Sequence, residues 1–222
     1  MKSIFDRILV GLNGVVLVTL GVVLLRPEGM LRTAVRDRLV ERRVKAYLAT
    51  SWDSLTKGAP VIAGADSSVE VVVFSDYECP ACRSTFAGYD VVSARGKGIG
   101  IALRHFPMAS YPNARRAAAA AICAGRQGQF RAMNRVLFTT PLDSLGLEWT
   151  RAAEAAGVPD ERGFLRCMEE PSTNAQIAGD STLAAYLGIN GTPTFVTRAG
   201  RFPGARSPDQ LLRLANEAHN AK

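Results

Sequence analysis

Val69-Glu70-Val71-Val72-Val73-Phe74-Ser75-Asp76-Tyr77-Glu78-Cys79-Pro80-Ala81-Cys82 is the stretch on which the fold turns. Its first part, Val69 to Phe74, is an apolar run rich in β-branched residues and reads as a buried strand, and the residues after it read as a helix. Two cysteines three apart at a helix start bring their sulfurs within bonding reach. The unpaired N–H groups and the dipole of the helix terminus then favour the Cys79 thiolate, the form that attacks disulfides. Pro80 is tolerated between them because a first-turn N–H has no helical partner to lose. The alternative readings are a zinc knuckle and a structural bridge. Zinc normally wants four ligands, and no second CxxC or Cys/His cluster accompanies this one.

Outward from this stretch, Gly98 to Phe106 reads as a second core strand, parallel to the first if the crossover has the usual right hand, and Pro107 ends it. From Pro112 to about Leu187 the pattern is almost entirely helical: Asn113 to Ala124, Gly128 to Phe138, Glu148 to Ala156, Asp160 to Glu169 and Thr173 to Leu187, separated by Gly or Pro. The run Ala117 to Ala121 reads as helix propensity with close packing. Gly191-Thr192-Pro193-Thr194-Phe195 then opens a short strand near Thr194 to Thr197. A turn at Ala199-Gly200, a partner strand at Arg201-Phe202 and a closing helix from Ser207 to His219 complete the chain. Thr194 and Phe195 read as strand and core residues, and His105, after a buried strand, as a core or hydrogen-bonding histidine.

The order of these segments resembles the DsbA-like branch of the thioredoxin superfamily. The resemblance is carried by Phe74 to Cys82, by Arg104-His105-Phe106-Pro107, by Gln127-Gly128-Gln129-Phe130 leading to Leu137-Phe138, and by the Thr192-Pro193 loop. It covers most of residues 61 to 220 and implies an α/β thioredoxin-like fold, 61–222, with a helical insertion at about 112–188. The activity it implies is that of a membrane-anchored thiol:disulfide oxidoreductase. In such a site Cys79 is the exposed nucleophile, Cys82 one turn inward resolves the mixed disulfide, and Pro80 and Ala81 lie between them. Thr192 and Pro193 form a cis-proline loop that pairs with extended substrate backbone and shields the sulfur.

The partners implied are thiol- or disulfide-containing proteins and a membrane redox partner, a quinone-linked reoxidase or, for a reductase, a thiol donor. No cofactor or metal is expected. A dithiol oxidase is the leading reading; a reductase or isomerase of the same fold, or a non-redox peptide-binding module, are the alternatives. Cys123 and Cys167 sit on separate helices among apolar neighbours. In an oxidising compartment they are expected to be joined, as related proteins often join these positions; the alternative is two core thiols packed as small hydrophobes.

Two departures from the family pattern bear on mechanism. Many relatives hold a buried carboxylate six residues before the nucleophile, where this chain has Val73; Asp76 or Glu78 are candidates to act in its place through water. The strongest oxidants carry a histidine where this chain has Ala81. Without it, and with Glu78 adjacent, Cys79 is expected to be less acidic than theirs, with a reduction potential between roughly −120 and −270 mV. Glu78 reads equally as a solvated residue.

At 222 residues with 47% hydrophobic content, the chain suits one medium domain plus an appendage and not a disordered segment. The net charge of +7 is unevenly spread: residues 1–60 hold 10 Lys/Arg against 5 Asp/Glu, and residues 61–222 hold 17 against 15. The near balance of the second part, and the lack of a basic-aromatic platform, argue against nucleic-acid binding. Ile8 to Leu25 is an apolar run of near-spanning length, read as an uncleaved transmembrane signal-anchor behind a tip at 1–7, since no small-x-small cleavage pattern follows it. Residues 26–60 read as a basic juxtamembrane helix, Gly29 to Leu48, and a linker. Its arginines after the span would by themselves place the domain in the cytoplasm. Disulfide chemistry argues for the periplasm or cell exterior, and that side is the expectation, with the span in a bacterial inner membrane.

Overall fold

The computed structural model describes residues 30–64, 68–142 and 148–221. The chain divides into two compact units, residues 1–44 and 45–222. In the first, the described part belongs to helix α1 (Met30–Thr50), on which Val35 and Leu39 are exposed. The expected tip and membrane span at 1–25 lie outside the described residues. Among those described, no helix is long and apolar enough to cross a membrane.

The second unit is built on a five-stranded sheet in the order β1-β3-β2-β4-β5, with β1 Val61–Gly64, β2 Val69–Ser75, β3 Gly100–His105, β4 Thr194–Thr197 and β5 Gly200–Pro203. β2 and β3 are parallel, joined through helix α3 (Pro80–Arg95), while β1 on β3, β4 on β2 and β5 on β4 are antiparallel. Val72, Val73 and Phe74 pair with Val196, Phe195 and Thr194, which sets the loop before β4 beside the C-terminal end of β2. Both strand ends therefore open on one edge, where Cys79 begins α3.

Strand alternation sorts the core onto two faces. Val71 and Val73 join the buried cluster that holds Cys82 and Val92 of α3 and Leu211 of the closing helix α9 (Pro208–Asn220). Val72 and Phe74 point the other way, and Arg104, opposite Phe74 in the parallel register, shares their face. Its guanidinium donates to the carbonyls of Leu55 (2.9 Å) and Lys57 (2.8 Å) and to Asp180 Oδ1 (2.9 Å). That buried pair fastens the short helix α2 (Trp52–Thr56) and α8 (Pro171–Tyr186) to the sheet. Between β3 and α8 lie α4 (Ala114–Arg126), α5 (Phe130–Thr139), α6 (Trp149–Ala155) and α7 (Glu161–Glu169), the helical insertion expected from the pattern.

The strand β1 was not expected from the sequence, in which residue 61 marks only the start of the domain after the linker. Its end depends on Gly64, at φ +71, where a Cβ would lie 1.8 Å from the Ile99 carbonyl oxygen. Backbone passes there with no room for a side chain.

Candidate active site

The four residues Cys79 to Cys82 open α3, with Cys79 as N-cap and Pro80 in the first turn. Cys79 takes an extended conformation, and its carbonyl accepts the first helical bonds from the N–H groups of Cys82 (3.0 Å) and Arg83 (3.1 Å). Both cysteines are free thiols, and both are buried. The expectation of an exposed Cys79 is corrected here: only 6% of the residue is accessible, against 0% for Cys82. The proline loop is one cause, since the Cys79 thiol donates to the Thr192 carbonyl at 3.4 Å. Thr192-Pro193 is a cis peptide bond, and the Pro193 carbonyl accepts from the Gly204 N–H at 2.8 Å.

The two sulfurs differ sharply in acidity. Cys79 is pulled down from 9.0 to about 5, chiefly by the hydrogen bond from the Cys82 thiol; burial opposes this, while the Thr192 side chain and the N–H groups of Cys82 and Ala81 add to it. Burial, and the bond it donates to Cys79, push Cys82 far up. At neutral pH the pair is one thiolate held by one thiol, which is the division of labour that disulfide exchange needs. Ala81 contributes through its backbone alone.

The flanking residues act as fasteners. Val73, where relatives hold an acid, is fully buried in the sheet. Asp76 is buried as well, its Oδ1 accepting from the Glu78 N–H and its Oδ2 from the Met108 N–H, each at 2.8 Å. Burial raises its carboxyl to about 6 in spite of those two bonds. Glu78 is not a free solvated side chain: Oε2 accepts from the Asn113 N–H (2.7 Å) and Oε1 from Asn113 Nδ2 (3.2 Å). Arg83, directly after the second cysteine, donates to the carbonyls of Tyr77 (3.0 Å), Leu137 (2.8 Å) and Thr140 (2.8 Å). It thereby satisfies carbonyls at the end of α5 that no helical N–H reaches and ties that helix to the loop before Cys79.

His105 lies in the core between Tyr77 and Phe130, with ring centroids 6.0 and 6.3 Å away. Neither ring nitrogen has a protein hydrogen-bond partner, and burial lowers its pKa to about 3, so it stays neutral and fills space. In the insertion, Cys123 of α4 and Cys167 of α7 are joined in a disulfide with Cα atoms 5.8 Å apart. Arg83, Tyr111 and Asn113 were not singled out from the sequence. Arg83 was findable in principle, since one residue past the CxxC is one turn from the N-cap; the other two carry no local signal.

Comparison with known proteins agrees with this architecture. The pattern of the family described as thioredoxin matches residues 56–217. A thioredoxin-like oxidoreductase from Silicibacter pomeroyi superposes with a TM-score of 0.65 at 32% identity, over 77% of this chain and 98% of that one. A linker-deletion variant of Proteus mirabilis ScsC superposes with a TM-score of 0.70 at 20% identity, over 100% of this chain and 98% of that one, which shows the fold. A Na(+)/H(+) antiporter NhaA 1 of Mycolicibacterium gilvum is 32% identical over 155 residues, 67% of this chain and 24% of its own length. The chain thus spans about a quarter of the curated relatives it matches.

Proposed function

Because this chain belongs to the thioredoxin family and is an oxidoreductase, we propose that it catalyses disulfide exchange in proteins outside the cytoplasm, as a dithiol oxidase. The observation that carries the reading is the pairing of an acidic Cys79 with a proton-holding Cys82 at the mouth of the sheet, beside the cis Thr192-Pro193 loop. In the oxidising direction a substrate thiolate attacks Cys79 of the Cys79–Cys82 disulfide, and Cys82 leaves and takes up a proton. A second substrate thiolate then attacks the substrate sulfur of the mixed disulfide. Cys79 departs as a thiolate, two electrons have passed to the protein, and the substrate carries the new bond. A leaving thiol of low pKa speeds that second step.

The Cys123–Cys167 bridge supports an oxidising compartment, since such bonds persist outside the reducing cytosol. We place the domain on the periplasmic or outer side of a bacterial inner membrane, held by the apolar segment at 8–25 and reoxidised by a quinone-linked membrane partner.

Thiol trapping in cells tests the direction. The oxidase reading expects Cys79 and Cys82 to be mostly disulfide-bonded at steady state, and Cys82→Ser to accumulate mixed disulfides with substrates while Cys79→Ser has no exchange activity. A mostly reduced pair would replace oxidase by reductase or isomerase. Full activity in Cys79→Ser would remove the thiol mechanism.

A further inference from the structure

Helix α1 carries charge that the disulfide-exchange site does not use. Residues 1–60 hold most of the chain's basic excess, and on α1 Arg36, Arg38, Arg42 and Arg43 are all exposed. Among the described residues, large apolar side chains stand open to solvent at Val35 (52%), at Leu39 (59%) and at Tyr186. Tyr186 packs edge-on against Tyr47, with ring centroids 5.3 Å apart. Val35 and Leu39 are one turn apart on α1 and share one face of it. At about 100° per residue, Arg38 and Arg42 fall on one flank of that pair and Arg36 and Arg43 on the other, each within about 80° of its centre. The acids are placed oppositely. Asp37 and Glu41 fall about 140° or more from the pair, on the side that holds the buried Val44. The Arg36 guanidinium reaches Asp37 only at 3.9 Å, with both side chains exposed, a pairing that water and salt weaken.

We propose that this face of α1 is a docking surface for an anionic lipid bilayer. Val35 and Leu39 enter the boundary between head groups and acyl chains, and the four arginines bind lipid phosphates around them. Such a bilayer answers both halves of the face, because arginine stems lie along the apolar boundary while their heads stay among the phosphates. A second copy docking through the same face about a two-fold axis would set arginines against arginines. A polyphosphate chain would meet the charges and leave Val35 and Leu39 in water. Docked in this way α1 lies in the plane of the membrane, with Asp37 and Glu41 turned from the phosphates. An anchor at 8–25, proposed above, precedes α1 in the chain and would deliver it to that surface.

This inference goes beyond the disulfide-exchange reading and does not depend on it, since the test reads the position of α1 and not the chemistry of Cys79. The full chain is reconstituted in vesicles containing acyl-brominated phosphatidylcholine, with or without phosphatidylglycerol. Trp52 and Trp149 are buried, so bromine should leave the parent's emission nearly unchanged. Leu39→Trp sets an indole on the face itself. With phosphatidylglycerol present, that variant should lose emission that the parent keeps; without it, most of the loss should disappear. Adding Arg36→Gln and Arg42→Gln should weaken the docked state about 30-fold, since each basic side chain near an anionic surface contributes about a factor of five. Raising the salt concentration should act in the same direction. Quenching that is equal with and without phosphatidylglycerol, or missing from both, would overturn the proposal. An introduced indole that is blue-shifted yet unquenched in both lipids would place protein on this face, such as a second copy, and would overturn it as well.

Discussion

At the scale of single residues, Asp76 is the side chain whose chemistry departs furthest from its place in the sequence. It sits on a polar-looking turn, yet it is 2% accessible, and burial raises its carboxyl from 3.8 to about 6. The folded protein therefore keeps a proton on Asp76 that the unfolded chain has already released between about pH 4 and pH 6. Stability from this group is fully present below pH 4 and is lost as pH rises through 6, by up to about 3 kcal/mol. In Asp76→Asn that titration is gone. Urea unfolding of the oxidised forms at pH 4 and pH 7 should show the parent losing stability relative to the variant over this interval; parallel behaviour of the two would mean that Asp76 ionises normally. At pH 7 the variant also loses an acceptor for either Met108 or Glu78, so its absolute stability is not the readout.

At the scale of elements, β1 shows how a short edge strand is held without a pattern of its own. It has four residues, its carbonyls at Val61 and Gly64 accept from Arg131, and its last residue lies against Ile99. Gly64 and Gly98 offer an internal comparison. Both have positive φ, +71 and +69, but a Cβ at Gly64 would lie 1.8 Å from the Ile99 carbonyl oxygen, whereas at Gly98 nothing stands within 4 Å. Gly98→Ala should cost about 1 kcal/mol, the conformational penalty alone. Gly64→Ala should cost more, about 3 kcal/mol, because backbone must move as well. Equal urea midpoints for the two variants would show that β1 shifts freely. The same economy of space recurs in α3, where a Cβ at Gly88 would lie 3.0 Å from Leu211, so that α3 and α9 close tightly over one face of the sheet.

At the scale of the whole molecule, the sheet and the helical insertion are held by different means. The sheet closes on apolar burial and on the Arg104–Asp180 pair, in which both side chains are largely withdrawn from solvent. The insertion adds a covalent tie, Cys123 to Cys167, across 44 residues. On the chain-entropy account a loop of that length restrains the unfolded chain by about 3–4 kcal/mol. Cys123→Ala/Cys167→Ala should therefore lower the unfolding free energy by about that amount, less any native strain the bridge carries. Its Cys79 thiolate should titrate as in the parent, because α4 and α7 do not contribute the donors around that sulfur. An unchanged urea midpoint would indicate that the bridge is not formed in solution.

What the sequence determined by itself was everything encoded by neighbours along the chain. The apolar run of Val69 to Phe74 marked the central strand, the CxxC marked two thiols at a helix start, and Gly and Pro punctuation marked the helices of the insertion to within a few residues. The Thr-Pro loop was legible because it lies directly before an apolar strand. What only the tertiary structure decided were relations between distant segments. β1 is too short to show a period and exists because β3 offers it an edge. Cys79 is buried because the loop at Thr192, 113 residues away, lies on it. Asp76 and Glu78 read as candidates to act in place of the missing carboxylate, and Glu78 equally as a solvated acid; that they also fasten the chain follows from Met108 and Asn113 returning to them 32 and 35 residues later. Periodicity and spacing report which face of an element is apolar; the partner a polar side chain finds depends on how the chain closes, and no local pattern carries that.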